Sequence, residues 1–289
     1  MSKQVYTASL DRKSTVFHHH CTDQLQIFGI IIDAVCRVGD IGKGGYNSLS
    51  RVQQMETLNT WKDLIDSSTG FASPYSASSS DDILWRTTLG NVFLGEGKRS
   101  SAYNVGHERG ESSIRRIRDD DRPIWEHWWA GWNGRIELED TPPGIEVPEV
   151  RNIGSSVTRA STGRRLFVTR RGYIGLCPSS GKVGDVVAVL LGGSTPFILS
   201  AMSKGERRLG EGDSEIQGQN AFVLIGDCYV HGSMDGEALR GEGTDDALGV
   251  DNIFLEWSFH SLFSFICQRN EAVALDWWSP TFKAGGWNL

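Results

Sequence analysis

Ala221-Phe222-Val223-Leu224-Ile225-Gly226-Asp227-Cys228-Tyr229-Val230-His231-Gly232-Ser233-Met234-Asp235-Gly236-Glu237 reads as a strand that runs straight into a polar turn. Its apolar half can be covered on both faces of a sheet. Its second half sets Tyr229, His231, Asp235 and Glu237 between glycines that permit tight backbone paths. If the strand holds through Val230, Tyr229 and His231 point to one face. A phenol beside an imidazole can donate a hydrogen bond to a carbonyl, or serve as acid and base. The same pair can instead satisfy the backbone of the turn, with Asp235 and Glu237 capping a second turn after it.

Upstream, the segments 165–170, 173–176, 185–191 and 197–200 alternate with Gly, Pro and Ser turns at close spacing. Together with 221–230 they predict a small antiparallel β-barrel or sandwich. Further out the pattern changes. Residues 25–33 are rich in β-branched side chains and read as a buried strand. Leu49, Val52, Met55, Leu58, Trp61 and Ile65 recur every three or four residues, which predicts a helix over 48–65. A second helix is expected over 81–93, and a third over 114–132, broken at Pro123. The proline- and serine-bearing stretch 141–163 reads as a linker. The run 252–267 fits a strand or a helix equally well. The expected class is α+β, a helical layer packed on the barrel or sandwich. Its parts are a strand-plus-helical region (1–140), the linker (141–163) and a strand-rich region (164–289).

The spacing also carries a resemblance. Arg165, Phe167, Thr169, Gly172, Ile174, Gly175, Leu176 and Pro178 follow an R-x-F-x-T-x-x-G-x-I-G-L-x-P pattern. Gly184, Asp185 and Val187 open a G-D-x-V … P-F-x-L stretch closed by Pro196, Phe197 and Leu199. With the run ending at Glu237, this resembles the C-terminal region of fungal heterokaryon-incompatibility (HET) proteins. Residues 25–38, with Gly29 and Asp33, echo a segment further upstream in that family. Ser200 stands where the family usually has Arg. No Y-x-A-L-S-Y-x-W-G signature of the HET domain itself occurs, so the region is expected to stand alone behind Met1.

Ten tryptophans are the second marked feature. On a helix, Trp125, Trp128, Trp129 and Trp132 fall at i, i+3, i+4 and i+7, on one face. They can be core packing or the wall of an apolar pocket, to which Met234, Trp277 and Trp278 would add. Stand-alone relatives, by the resemblance, include natural-product cyclases that promote Diels–Alder reactions on terpenoid intermediates. The first expectation is therefore a cofactor-free enzyme of fungal secondary metabolism. Such a protein binds a small apolar, terpenoid-like substrate and works by orientation and hydrogen bonding from Tyr229 and His231. The alternative is a non-enzymatic recognition or regulatory module with a protein partner.

Composition excludes several classes. A net charge of −7 argues against nucleic acid or an anionic membrane as main partner. The basic Arg115, Arg116 and Arg118 are answered at once by Asp119, Asp120 and Asp121. Five scattered cysteines without a CxxC, and the lack of a signal peptide, suit a reduced, cytoplasmic setting. The apolar run 253–267 is too short to span a bilayer. His18-His19-His20-Cys21 lacks a second ligand pair, so no metal is expected. Phosphate-loop, dinucleotide and nucleophile-elbow patterns are missing too, so neither nucleotide nor flavin is expected.

Overall fold

The structure is a computed structural model. It describes residues 5–10, 12, 17–19, 24–44, 48–68, 74–75, 78–95, 113–134, 141–202, 221–240 and 250–256. The class is α+β, with a mostly antiparallel sheet and a helical layer.

Everything is organised on one long strand. After the short β1 (Phe17–His19), strand β2 covers Gln24–Ile41. Its second half pairs along one edge with β5 (Arg164–Thr169), and its middle pairs along the other with β7 (Val186–Leu190). From β5 the pairing runs to β6 (Ile174–Pro178), then to β10 (Tyr229–Val230). β10 continues the chain of β9 (Ala221–Asp227), which pairs with β8 (Phe197–Ala201), which pairs with β7. The circuit thus returns to β2. β11 (Asp251–Glu256) lies antiparallel to the first half of β2 and parallel to β9. Register shifts in β2 between Ile31 and Asp33 and between Val35 and Arg37 bend it enough to serve both edges.

Phe167, Cys177, Val187, Val189, Ile198, Cys228 and Val230 come from strands all round this circuit and pack with Ile32 and Val35 as its interior. The alternate residues of β5 and β6, namely Leu166, Val168, Ile174 and Leu176, face outward and are covered by helices. That is why these strands read as continuous apolar runs.

The covering layer contains α1 (Ser48–Asp66), α2 (Ser80–Thr88), α3 (Arg122–Trp132) and α4 (Val147–Ser161). Several expectations are corrected here. The second helix ends at Thr88, because Gly90 and Asn91 both take φ of +58° and turn the chain into strand β3 (Val92–Gly95). The start of the expected third helix is instead strand β4 (Ser113–Arg116), paired with β3 and followed by a 3-10 turn at Asp119–Asp121. Pro123 does not break α3 but sits in its first turn, where its missing N–H costs nothing. The stretch expected as a linker holds α4, which buries Val150, Ile153, Val157 and Ala160. Leu94 N–H donates to Ser156 Oγ at 3.0 Å, tying α4 to β3. The ambiguous C-terminal run is strand up to Glu256, and the rest of it lies outside the described residues.

Candidate functional site: the Tyr229–His231 turn and the groove beside α3

Strand β10 stops at Val230, so His231 belongs to the turn and not to the strand. The alternation that predicted a shared face does not apply. The turn nevertheless brings the two side chains together: Tyr229 Oη and His231 Nδ1 are hydrogen-bonded at 3.2 Å. Both residues are buried, at 6% and 8% exposure. Gly175 lets β6 pack closely on β10, because any Cβ there would collide with the Tyr229 carbonyl and the Phe167 ring.

Tyr75 closes the cluster. Its hydroxyl donates to the His231 carbonyl at 2.7 Å and accepts from the Ile174 N–H at 3.1 Å. Its ring meets the His231 imidazole edge-on, with centroids 4.9 Å apart. The backbone N–H of His231 donates to the Ile174 carbonyl at 2.9 Å. Met234 is 3% exposed, and its Sδ accepts from Val230 N–H at 3.3 Å. The expected substrate-binding methionine is thus built into the turn and the core beneath it.

Residues 5–10 lie across the outside of this turn. Thr7 N–H donates to the Met234 carbonyl at 3.0 Å, and Leu10 occupies the space a Cβ on Gly236 would need. The Tyr6 hydroxyl donates to the Gly90 carbonyl, and its ring sits under the Arg116 guanidinium at 4.4 Å. Arg116 also donates to the Val5 carbonyl at 2.9 Å and forms an ion pair with Asp235. Glu237 accepts from Asp235 N–H at 2.7 Å, the capping role open to it in the sequence.

Burial sets the electrostatics. It pushes the Tyr229 and Tyr75 phenols well above their usual range. It pulls His231 down to about 4, with Asp82 working against that shift and Arg86 adding to it. At neutral pH the pair is therefore an uncharged phenol and an uncharged imidazole. Acid–base catalysis works best when the group titrates near the operating pH. Here both groups are displaced away from neutrality in opposite directions.

Three of the four α3 indoles are core. Trp125, Trp128 and Trp129 are buried, with Trp125 and Trp129 stacked at 5.1 Å between ring centroids. A Cβ on Gly154 of α4 would stand 2.8 Å from Trp128 Nε1, so α4 packs directly on that indole. Trp132 is half-buried, with the Arg51 guanidinium 5.0 Å from its ring. Trp277 and Trp278 lie outside the described residues.

An open groove of about 720 Å³ lies on the other side of α3. Arg118, Asp120, Glu126, His127, Pro142 and Ile145 are among the residues that line it, and none of the indoles does. In its wall Arg115 donates twice to Asp121, at 2.6 and 2.7 Å. Burial raises the Asp121 carboxyl, but Arg115 and the Arg118 N–H outweigh it and hold the group below its usual value. Sequence reasoning missed this groove, because its lining is assembled from the end of β4, two loops and two helices. Tyr75 and Tyr6 were missed as well, since no local pattern marks them.

Among the described residues, no group of three or more His, Cys, Asp or Glu side chains is placed to hold a metal ion. His18 and His19 fall in β1, while His20 and Cys21 lie outside the described residues. No helix among the described residues is long and apolar enough to cross a membrane.

The barrel defines the class. Residues 152–248 match the model of the Het-6 beta-barrel domain, from within α4 to beyond the Tyr229–His231 turn. The chain therefore carries a HET-like region, and the resemblance read from Arg165 to Glu237 holds. Over 169 residues it is 28% identical to Heterokaryon incompatibility protein 6, OR allele, of Neurospora crassa. The aligned part covers 54% of this chain and 22% of that relative. No solved structure matches the chain significantly.

Proposed function

We propose that this chain is a non-enzymatic recognition or regulatory module related to fungal heterokaryon incompatibility, and that it engages a protein partner. The observation that carries this reading is the closure of the Tyr229–His231 cluster. Its hydroxyl, Nδ1 and backbone groups are engaged with Tyr75, Ile174 and each other. Residues 5–10 cover the turn from outside. A cofactor-free cyclase would need an apolar chamber beside these groups. The groove beside α3 is rimmed by charge, and the indoles of α3 do not line it. Mixed charge, proline and a few apolar side chains suit the polar, hydrogen-bonding rim of a protein interface better than a terpenoid.

The test compares stability with activity. The purified chain is incubated with the metabolite fraction of a fungal mycelial extract, and the mixture is followed by liquid chromatography and mass spectrometry. The expected outcome is no consumption of any metabolite that scales with protein concentration. Catalytic consumption that is lost in Tyr229→Phe, at an unchanged melting temperature, would overturn the proposal in favour of the cyclase.

A further inference from the structure

Cys177 and Cys228 are far apart in sequence and adjacent in the barrel. β6 and β10 are antiparallel, with Leu176 opposite Tyr229 and Gly175 opposite Val230. One step along this register sets Cys177 opposite Cys228. Opposed residues of an antiparallel pair project to the same face, and the core agrees. Leu176 and Tyr229 belong to the cluster under the helices, while Cys177, Cys228 and Val230 belong to the barrel interior. Both thiols are free and 1% exposed. Cys228 senses the charge of Cys177, and both thiols sense Arg164, whose guanidinium is fixed by Asp227 at 2.7 Å.

We propose that Cys177 and Cys228 form a peroxide-oxidisable dithiol, whose disulfide fastens β6 to the β9–β10 junction and locks the Tyr229–His231 turn. Directly opposed Cβ atoms lie about 4.5–5.5 Å apart, and a disulfide needs about 3.5–4.5 Å. The strands must therefore close by about 1 Å. A bond made under such strain is more readily reduced again, as reversible disulfides are. The chemistry balances with one peroxide. The thiolate of one cysteine attacks a peroxide oxygen, giving a sulfenic acid and releasing water. The second thiol attacks that sulfur, forming S–S and releasing a second water. Two protons and two electrons leave the thiols and reduce the peroxide.

Access is through β10, a two-residue strand whose only sheet partner among the described residues is β6. Parting this two-residue pairing is a local opening that does not require unfolding of the whole domain. Burial pushes the Cys177 thiol up to about 11 and raises Cys228 well above its usual value. The pair therefore oxidises slowly at neutral pH, and faster as pH rises. Half-buried Cys36, on β2, serves as the internal control.

The experiment treats the folded protein with hydrogen peroxide, blocks remaining thiols and maps peptides without reduction. The expected product is a Cys177–Cys228 linked peptide, removed by dithiothreitol. Amide exchange at Tyr229 and Val230 should slow by on the order of tenfold in the oxidised protein. A linked peptide that appears only in denaturant, a different pairing, or oxidation of Cys36 with Cys177 and Cys228 left as thiols each overturns the proposal. Cys177→Ala and Cys228→Ala should each abolish the linked peptide. Since the wild-type map decides the matter, a variant that fails to fold leaves the test intact.

Discussion

The turn at His231 and the groove beside α3 both concentrate polar residues, and they use them in opposite ways. In the turn, Tyr75, Tyr229 and His231 spend their hydrogen bonds on one another and on β6, and residues 5–10 cover the outside. In the groove, Arg118 and Asp120 are exposed and face an open space. Residue type alone would assign chemistry to the first and solvation to the second. Burial reverses that assignment. The phenol and the imidazole are buried in their neutral forms and bonded to each other, whereas the charges at the rim face solvent.

The comparison breaks most visibly at Trp128. If the α3 indoles are core, Trp128→Ala should cost roughly 3–5 kcal/mol in urea unfolding. A loss under about 1 kcal/mol would place the indole beside empty space and reopen the pocket reading.

The next effect is a pH dependence. His231 titrates at about 4 when folded against 6.5 ordinarily. Between those values the unfolded chain takes up a proton that the folded chain refuses. This contribution to stability is complete above about pH 6.5 and is lost as pH falls towards about 4, by roughly 3 kcal/mol at most. His231→Gln should remove most of that slope in denaturation midpoints measured across this range. A slope that survives the substitution assigns it to other groups.

Smaller again is Tyr229→Phe, which leaves His231 Nδ1 without its partner. The expected cost is about 1–3 kcal/mol, and combining it with His231→Ala should cost less than the two changes added together. Strict additivity would mean that the 3.2 Å contact contributes nothing. The smallest stability effect is expected in the groove. Arg118→Ala should alter unfolding by under about 0.5 kcal/mol. The same change should weaken capture of a partner, if the groove is where one docks.

The barrel is legible in the sequence because its strands obey a local rule. Short apolar runs between Gly, Pro and Ser turns at 165–200 and 221–230 match β5 to β10 closely. The helix at 48–65 is equally plain, since its stripe repeats over four turns and more. The elements that escape reading depend on distant partners. β4 pairs with β3 across residues 96–112, and nothing in Ser113–Arg116 alone marks a strand. α4 does carry a signal, in Pro148 at its first turn, Glu149 closing a capping box with Glu146, and Val150, Ile153 and Val157 at helical spacing. The neighbouring Pro142 and Pro143 draw the whole stretch toward a loop. At the turn, residue identity predicts the meeting of Tyr229 and His231, but the geometry achieves it by a bend after Val230 and not by strand alternation. The role of Tyr75 cannot be read at all, because its partners lie in β6 and in the turn.

The arrangement of β2 also sets a schedule for synthesis. Strand β2 ends at Ile41, and apart from the short β1 at its start its partners begin only at Arg164, Val186 and Asp251. A ribosome adding ~5–20 residues per second leaves this strand without these later neighbours for on the order of ten seconds. During that interval Ile27, Ile30, Ile32 and Val35 have no barrel to enter, and both edges of β2 are open to another chain. Among the described residues, the barrel's first full strand is completed by the last one made, so its nascent form is the state most exposed to pairing with another chain.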